Sequence, residues 1–145
     1  MLARMDPKDN PRHAKILVVE DQDDVRRLLV TALGIDGHDV DEAINAHHGL
    51  SKLRETRYNL ILTDYAMPGG TGTWMLHEAT REGLLGDAIS LIVTAHSDAG
   101  ELASYDVIPK PLDLDNFLGQ IRRVLSGADA DASGPLRTCG VDAKA

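Results

Sequence analysis

Cysteine, long apolar runs and basic charge are what this sequence has least of. Its one cysteine, Cys139, leaves no internal disulfide in 145 residues, which excludes a stapled secreted scaffold. No apolar stretch approaches the roughly 18 residues that a membrane-crossing helix needs. Met1 to Lys15 carries no apolar signal-peptide core. Lys and Arg number 15 against 23 Asp and Glu, a formal net charge of −8. That balance provides no clustered basic patch of the kind that grips a phosphate backbone, so a nucleic-acid partner is not expected. No internal repeat with a period of roughly 20–50 residues is present either. These absences leave a soluble cytoplasmic domain with neither membrane nor nucleic acid among its expected partners.

What is present is an ordinary globular composition, 43% apolar and 26% charged, too apolar for disorder as the main state. The length suits a single domain able to bury a sizeable core. Residues 1–14 read as a flexible N-terminal segment, with Pro7, Pro11 and no periodicity. Residues 127–145 read as a flexible low-complexity tail, small, polar and broken by Gly and Pro. Cys139 falls in that tail, as a free thiol rather than a nucleophile. Between these ends, residues 15–126 hold 10 basic and 18 acidic residues, so the acidic excess lies wholly in the folded part. Partners with basic surfaces, or a bound cation, would account for some of it.

Short apolar runs alternate with helical periodicity along this central stretch. Ile16–Val19 is unbroken and apolar, as in a strand buried on both faces. Val25, Leu28, Leu29, Ala32 and Leu33 then recur at helical spacing and predict one inward face. His38 to Ala43 reads as an edge strand, and Ala46, Leu50 and Leu53 as a helix reaching about residue 57. Leu60–Thr63 is another buried strand. A Pro/Gly-rich loop then leads to a helix with Leu76, Ala79 and Leu84 inward. Ile89–Thr94 and Val107–Ile108 read as the last strands. Leu114, Phe117, Ile121, Val124 and Leu125 make a final amphipathic helix capped by Asp113. Such alternation predicts an α/β fold with a parallel sheet, right-handed crossovers and helices on both faces. Ligands of open parallel sheets bind beyond the carboxyl ends of the strands.

Chemistry-bearing residues do gather where the strands stop. Glu20 and Asp21 end the first strand, Asp64 the third and Thr94 the fourth, while Lys110 follows the fifth. Three converging carboxylates repel one another unless a cation joins them or one takes a proton. Hard oxygen donors suit magnesium and disfavour zinc. Lys110 adds a positive charge and Thr94 a hydroxyl, together a place for a phosphoryl-like anion beside the metal. A carboxylate can itself act as nucleophile and form an aspartyl phosphate. Singly, each residue is explained as well by capping, turn chemistry or chance. Their joint placement at successive strand ends is not.

The segments Lys15–Asp21, Asp64-Tyr65-Ala66-Met67-Pro68-Gly69 with Gly72, Val93-Thr94-Ala95 and Lys110-Pro111 resemble the receiver domain of two-component response regulators, over about residues 14–126. The resemblance implies a flavodoxin-like, doubly wound five-stranded sheet in the order 2-1-3-4-5. It implies Asp64 as phosphoacceptor, with Glu20, Asp21, Asp64 and the Ala66 carbonyl around Mg2+. Thr94 resembles the switch hydroxyl, and Lys110 the lysine that pairs with the phosphoryl group, aimed by a cis Lys110-Pro111 bond. The phosphoryl donor would be a sensor histidine kinase or a histidine phosphotransfer protein. With only 19 residues after position 126, a stand-alone receiver is expected, passing its signal to an effector protein by contact or relaying the phosphoryl group. It would not be an enzyme beyond its own phosphorylation and dephosphorylation.

Two features depart from the family pattern. The usual switch aromatic position holds Val107, with Tyr105 two residues earlier, which favours loss of the usual Thr–aromatic coupling. Thr94 and Lys110 stand only 16 positions apart, so the fourth helix should be shortened or irregular across Ser97–Ser104, and Gly100 weakens it further. A non-phosphorylated pseudo-receiver is one rival reading. The other is a magnesium-dependent phosphohydrolase built on Asp21-Gln22-Asp23, although Val25 stands where that pattern wants a hydroxyl. His47 and His48, adjacent on a helix, point apart and make a poor metal pair. Trp74, Met67, Met75 and Leu76 read as packing.

Overall fold

Apolar runs of four to six residues are too short for helices and become strands flanked on both faces; the periodic segments between them become the covering helices. The computed structural model describes residues 13–95 and 100–126. In order these form β1 (Lys15–Val19), α1 (Asp23–Ile35), β2 (Asp39–Ala43), α2 (Ala46–Glu55), β3 (Leu60–Thr63), α3 (Gly72–Arg81) and β4 (Ile89–Thr94). A short 3₁₀ helix (Gly100–Ser104), β5 (Asp106–Pro109) and α4 (Leu114–Ser126) complete the chain. The sheet is parallel throughout, in the order β2-β1-β3-β4-β5. The doubly wound arrangement expected from the sequence is thus the one observed. The segments 1–12 and 127–145, with Cys139, lie outside the described residues, as do 96–99.

Alternate strand side chains feed two cores. Ile16, Val18, Leu60, Leu62, Leu91, Val93 and Ile108 pack against Leu29 and Leu33 of α1 and Phe117, Ile121 and Val124 of α4. Leu17, Val19, Ile61 and Ile92 face the other way, onto Leu50 and Leu53 of α2 and Met75, Leu76 and Ala79 of α3. Trp74 is half-buried at the edge of that second core, and Met67 and Met75 are packing residues as read. Asp113 Oδ1 accepts the backbone N–H of Asp115 at 3.2 Å, the cap expected for α4.

Three local expectations are corrected. Leu28, assigned to the inward face of α1, is 51% exposed, and Arg26 is buried in its place. The charge is tolerated there because every side of the guanidinium finds an oxygen, as described below. Leu84 lies beyond α3, which stops at Arg81 because Gly83 adopts a positive φ of 72° and turns the chain. α2 ends at Glu55 because Thr56 is already extended. The fourth covering helix is indeed irregular: its described part is the five-residue 3₁₀ helix, anchored on the second core by buried Leu102.

Candidate functional site

At the carboxyl edge of the sheet β2, β1 and β3 end level, Val19 with Ala43 and Thr63, while β4 and β5 end together two residues further on, Thr63 facing Ile92 and Thr94 facing Pro109. Whatever follows each strand is therefore delivered to one place. The Glu20 N–H donates to the Ala43 carbonyl and the Asp64 N–H to the Val19 carbonyl, which ties the two acidic loops across β1. The Lys110 N–H donates to the Thr94 carbonyl at 2.9 Å, and the Lys110-Pro111 bond is cis, as expected. Asp64 is further fixed by its neighbours. Its Oδ1 accepts the Tyr65 N–H at 2.7 Å, and its carbonyl accepts the Thr63 hydroxyl at 2.9 Å. Gly72 starts α3 hard against that carbonyl, where a Cβ would overlap the Asp64 oxygen and lie 2.8 Å from Thr63 Oγ1. Only glycine fits there.

Glu20, Asp21 and Asp64 each offer a carboxylate oxygen within 4.8 Å of the others. Lys110 reaches into the group, its Nζ donating to Glu20 Oε1 at 3.2 Å and to Asp64 Oδ2 at 3.3 Å. Asp21, Gln22, Asp64, Ala66, Ala95 and Lys110 line a cavity of about 260 Å³ in front of it. Glu20 is the buried member, 2% exposed. Burial pushes its carboxyl above the ordinary carboxylate range, and nearby Asp64 adds to this, while the Gln22 N–H and Lys110 pull the other way without cancelling it. For Lys110, burial acts to lower the pKa, but attraction to Asp64 and Glu20 more than offsets it and leaves the ammonium above its usual value. Three acids around one cation leave the cluster net negative. The donors are hard oxygens beside an open cavity, a set that fits Mg2+ with its water shell.

Thr94 is fully buried at the end of β4, and its neighbour Ala95 forms the cavity wall. Val107 lies opposite Ile92 in β5, while Tyr105 precedes the strand and lines a separate cleft with Thr71, Thr73, Trp74, His77 and Ser104. Tyr105 and Val107 share one core face, as their spacing suggested. His47 and His48 do diverge. The His47 ring contacts Trp74 at 4.7 Å and the Gly69 carbonyl at 3.2 Å, whereas His48 Nδ1 accepts the Ile44 N–H. Two contributors escaped the sequence reading. Gln22 lines the cavity, and Arg26 bonds the Glu20 carbonyl at 2.9 Å. The signal for Arg26 was its place in the 26-29-33 stripe of α1, three residues after Asp23.

The family model for the response regulator receiver domain matches residues 16–122. The chain belongs to the response regulator receiver family. Among curated relatives, this receiver is 34% identical over 125 residues to a probable transcriptional regulator, ycf27, of Porphyridium aerugineum, covering 82% of this chain and 51% of that one. It is 32% identical over 117 residues to the response regulator ArlR of Staphylococcus saprophyticus, covering 77% and 52%. The chain thus spans about half the length of the curated relatives it matches. Among solved structures, a CheY-like receiver from Methanospirillum hungatei JF-1 superposes with a TM-score of 0.72 at 26% identity, over 81% of this chain and 98% of that one. The response regulator TrrA of Thermotoga maritima, solved in complex with Mg(2+)-BeF, gives 0.67 at 27% identity over 76% and 97%. Receivers are in general phosphorylated by histidine kinases and hold Mg2+ at an acidic pocket; this one has such a pocket.

Proposed function

We propose that this receiver takes a phosphoryl group onto Asp64 from a phosphohistidine, in a Mg2+-dependent step, and signals in the cytoplasm by protein contact or by relay. The observation that carries the reading is the convergence of Glu20, Asp21, Asp64 and Lys110 on one cavity. Glu20, Asp21, Asp64 and the Ala66 carbonyl would hold the ion, whose contribution is to neutralise charge on the transferring oxygens. An Asp64 carboxylate oxygen attacks phosphorus. The P–N bond breaks, its electron pair returns to the donor imidazole, and that ring takes up a proton. Lys110, now shared between Glu20 and Asp64, pairs with the phosphoryl oxygens, and the Thr94 hydroxyl turns toward them to mark the phosphorylated state. Self-phosphorylation and its hydrolysis are the only chemistry assigned. The phosphohydrolase alternative is disfavoured because Asp23, its second aspartate, bonds Arg26 on α1.

The test incubates the protein with acetyl phosphate and Mg2+ and reads intact mass. Wild type should gain one phosphoryl group and Asp64→Asn none. Labelling that survives in Asp64→Asn but is lost in Asp21→Asn would indicate the hydrolase, and an unlabelled wild type a pseudo-receiver.

A further inference from the structure

We infer that Arg26 is a positioning residue that sets how tightly the Glu20–Asp21 turn holds Mg2+ without itself touching the ion; this rests on the receiver reading above. The Arg26 side chain is only 8% exposed. Each of its three nitrogens serves a different element. Nη1 donates to the Glu20 carbonyl at 2.9 Å, Nε to Glu42 of β2 at 2.8 Å, and Nη2 to Asp23 in the first turn of α1 at 2.6 Å. The turn it grips has no ordinary cap, since the Gln22 side chain at the N-cap of α1 makes no capping bond. Instead Glu20 organises the turn. Its carboxylate accepts the Gln22 N–H at 3.1 Å, its N–H is bound by Ala43, and its carbonyl is bound by Arg26.

Fixing that carbonyl fixes the peptide plane from which Asp21 departs, and so the spacing between the Glu20 and Asp21 carboxylates. Arg26 does not line the cavity, and its charge is balanced by Glu42 and Asp23 outside it. Its effect on the site is therefore geometric. Arginine's planar fork reaches three acceptors at once; a lysine head at the same place could not.

Calorimetric titration of Mg2+ into the full chain tests this, at a temperature where circular dichroism shows each variant folded. Arg26→Lys and Arg26→Met should raise the Mg2+ Kd by roughly ten-fold or more, and Glu42→Gln by less. Phosphorylation by acetyl phosphate should slow at low Mg2+ and recover when Mg2+ saturates. Variants that melt earlier yet keep the wild-type Kd would overturn the inference. If Arg26→Met does not fold, Arg26→Lys and Glu42→Gln decide the matter, and an unchanged Kd in both overturns it. Absence of Mg2+ binding by wild type would instead overturn the receiver reading, and this inference with it.

Discussion

At the scale of single residues, the site depends on groups that are costly in isolation and tolerable together. Buried Glu20 lies next to a second carboxylate, and Lys110 offsets both. Gly72 provides the sharpest steric test. Gly72→Ala pushes a methyl into the Asp64 carbonyl and Thr63, so it should cost about 1–3 kcal/mol by overpacking and slow phosphorylation of Asp64. Gly34→Ala is the control, since a Cβ there meets nothing within 4 Å on helix α1; it should stabilise by roughly 0.5–1 kcal/mol. Denaturant unfolding and labelling rates check both. Tyr58 provides a pH test. Its phenol donates to Asp41 at 2.7 Å, and burial with that carboxylate holds its pKa above the ordinary 10.0. A raised value favours the protonated phenol in the folded state. The stability it contributes is complete below the unfolded pKa and lost as pH rises beyond it. Wild type should therefore lose more stability than Tyr58→Phe as pH is raised past about 10. Parallel melting curves for the two would contradict this. Asp64 and Lys110 were legible in the sequence because each follows a recognisable strand. Arg26 was not, because its burial on α1 is licensed by Glu42, sixteen residues away on β2.

At the scale of elements, the buried strands were legible from apolar runs and β2 from its alternation, the sheet order only from the family resemblance, and helix ends were not. Gly83 and Thr56 end α3 and α2 through backbone conformation, a choice apolar periodicity does not report. The short interval between Thr94 and Lys110 disclosed a deficient fourth helix, and its described part is a 3₁₀ turn with Leu102 buried. Leu102→Ala should therefore cost roughly 2–5 kcal/mol in denaturant unfolding, because Leu102 is buried in the second core. Hydrogen exchange at Glu101–Ser104 should be fast compared with Ile92 and Val93 of β4, because five residues of 3₁₀ helix lack a continuous ladder. Protection there equal to that of β4, without a phosphoryl analogue, would contradict this description.

At the scale of the whole molecule, the parallel sheet converts sequence order into a site, since every strand delivers its next residue to the same edge. The acidic excess then divides. Glu20, Asp21 and Asp64 form one cluster, and the remaining acids include surface partners such as Asp36 with Arg122 and Glu82 with Arg54. Occupation of the cluster by Mg2+ should stabilise the whole fold by mass action, about 1.4 kcal/mol at ten times Kd. The melting temperature should rise with added Mg2+ in wild type and barely move in Asp21→Asn. The central proposal is that the cluster serves phosphorylation of Asp64. Its most direct test is borohydride trapping after incubation with a phosphodonor and Mg2+, followed by peptide mass mapping. The predicted result is reduction confined to the peptide spanning Asp64 and dependent on Mg2+. Reduction at Asp21 instead, or none anywhere, would contradict it.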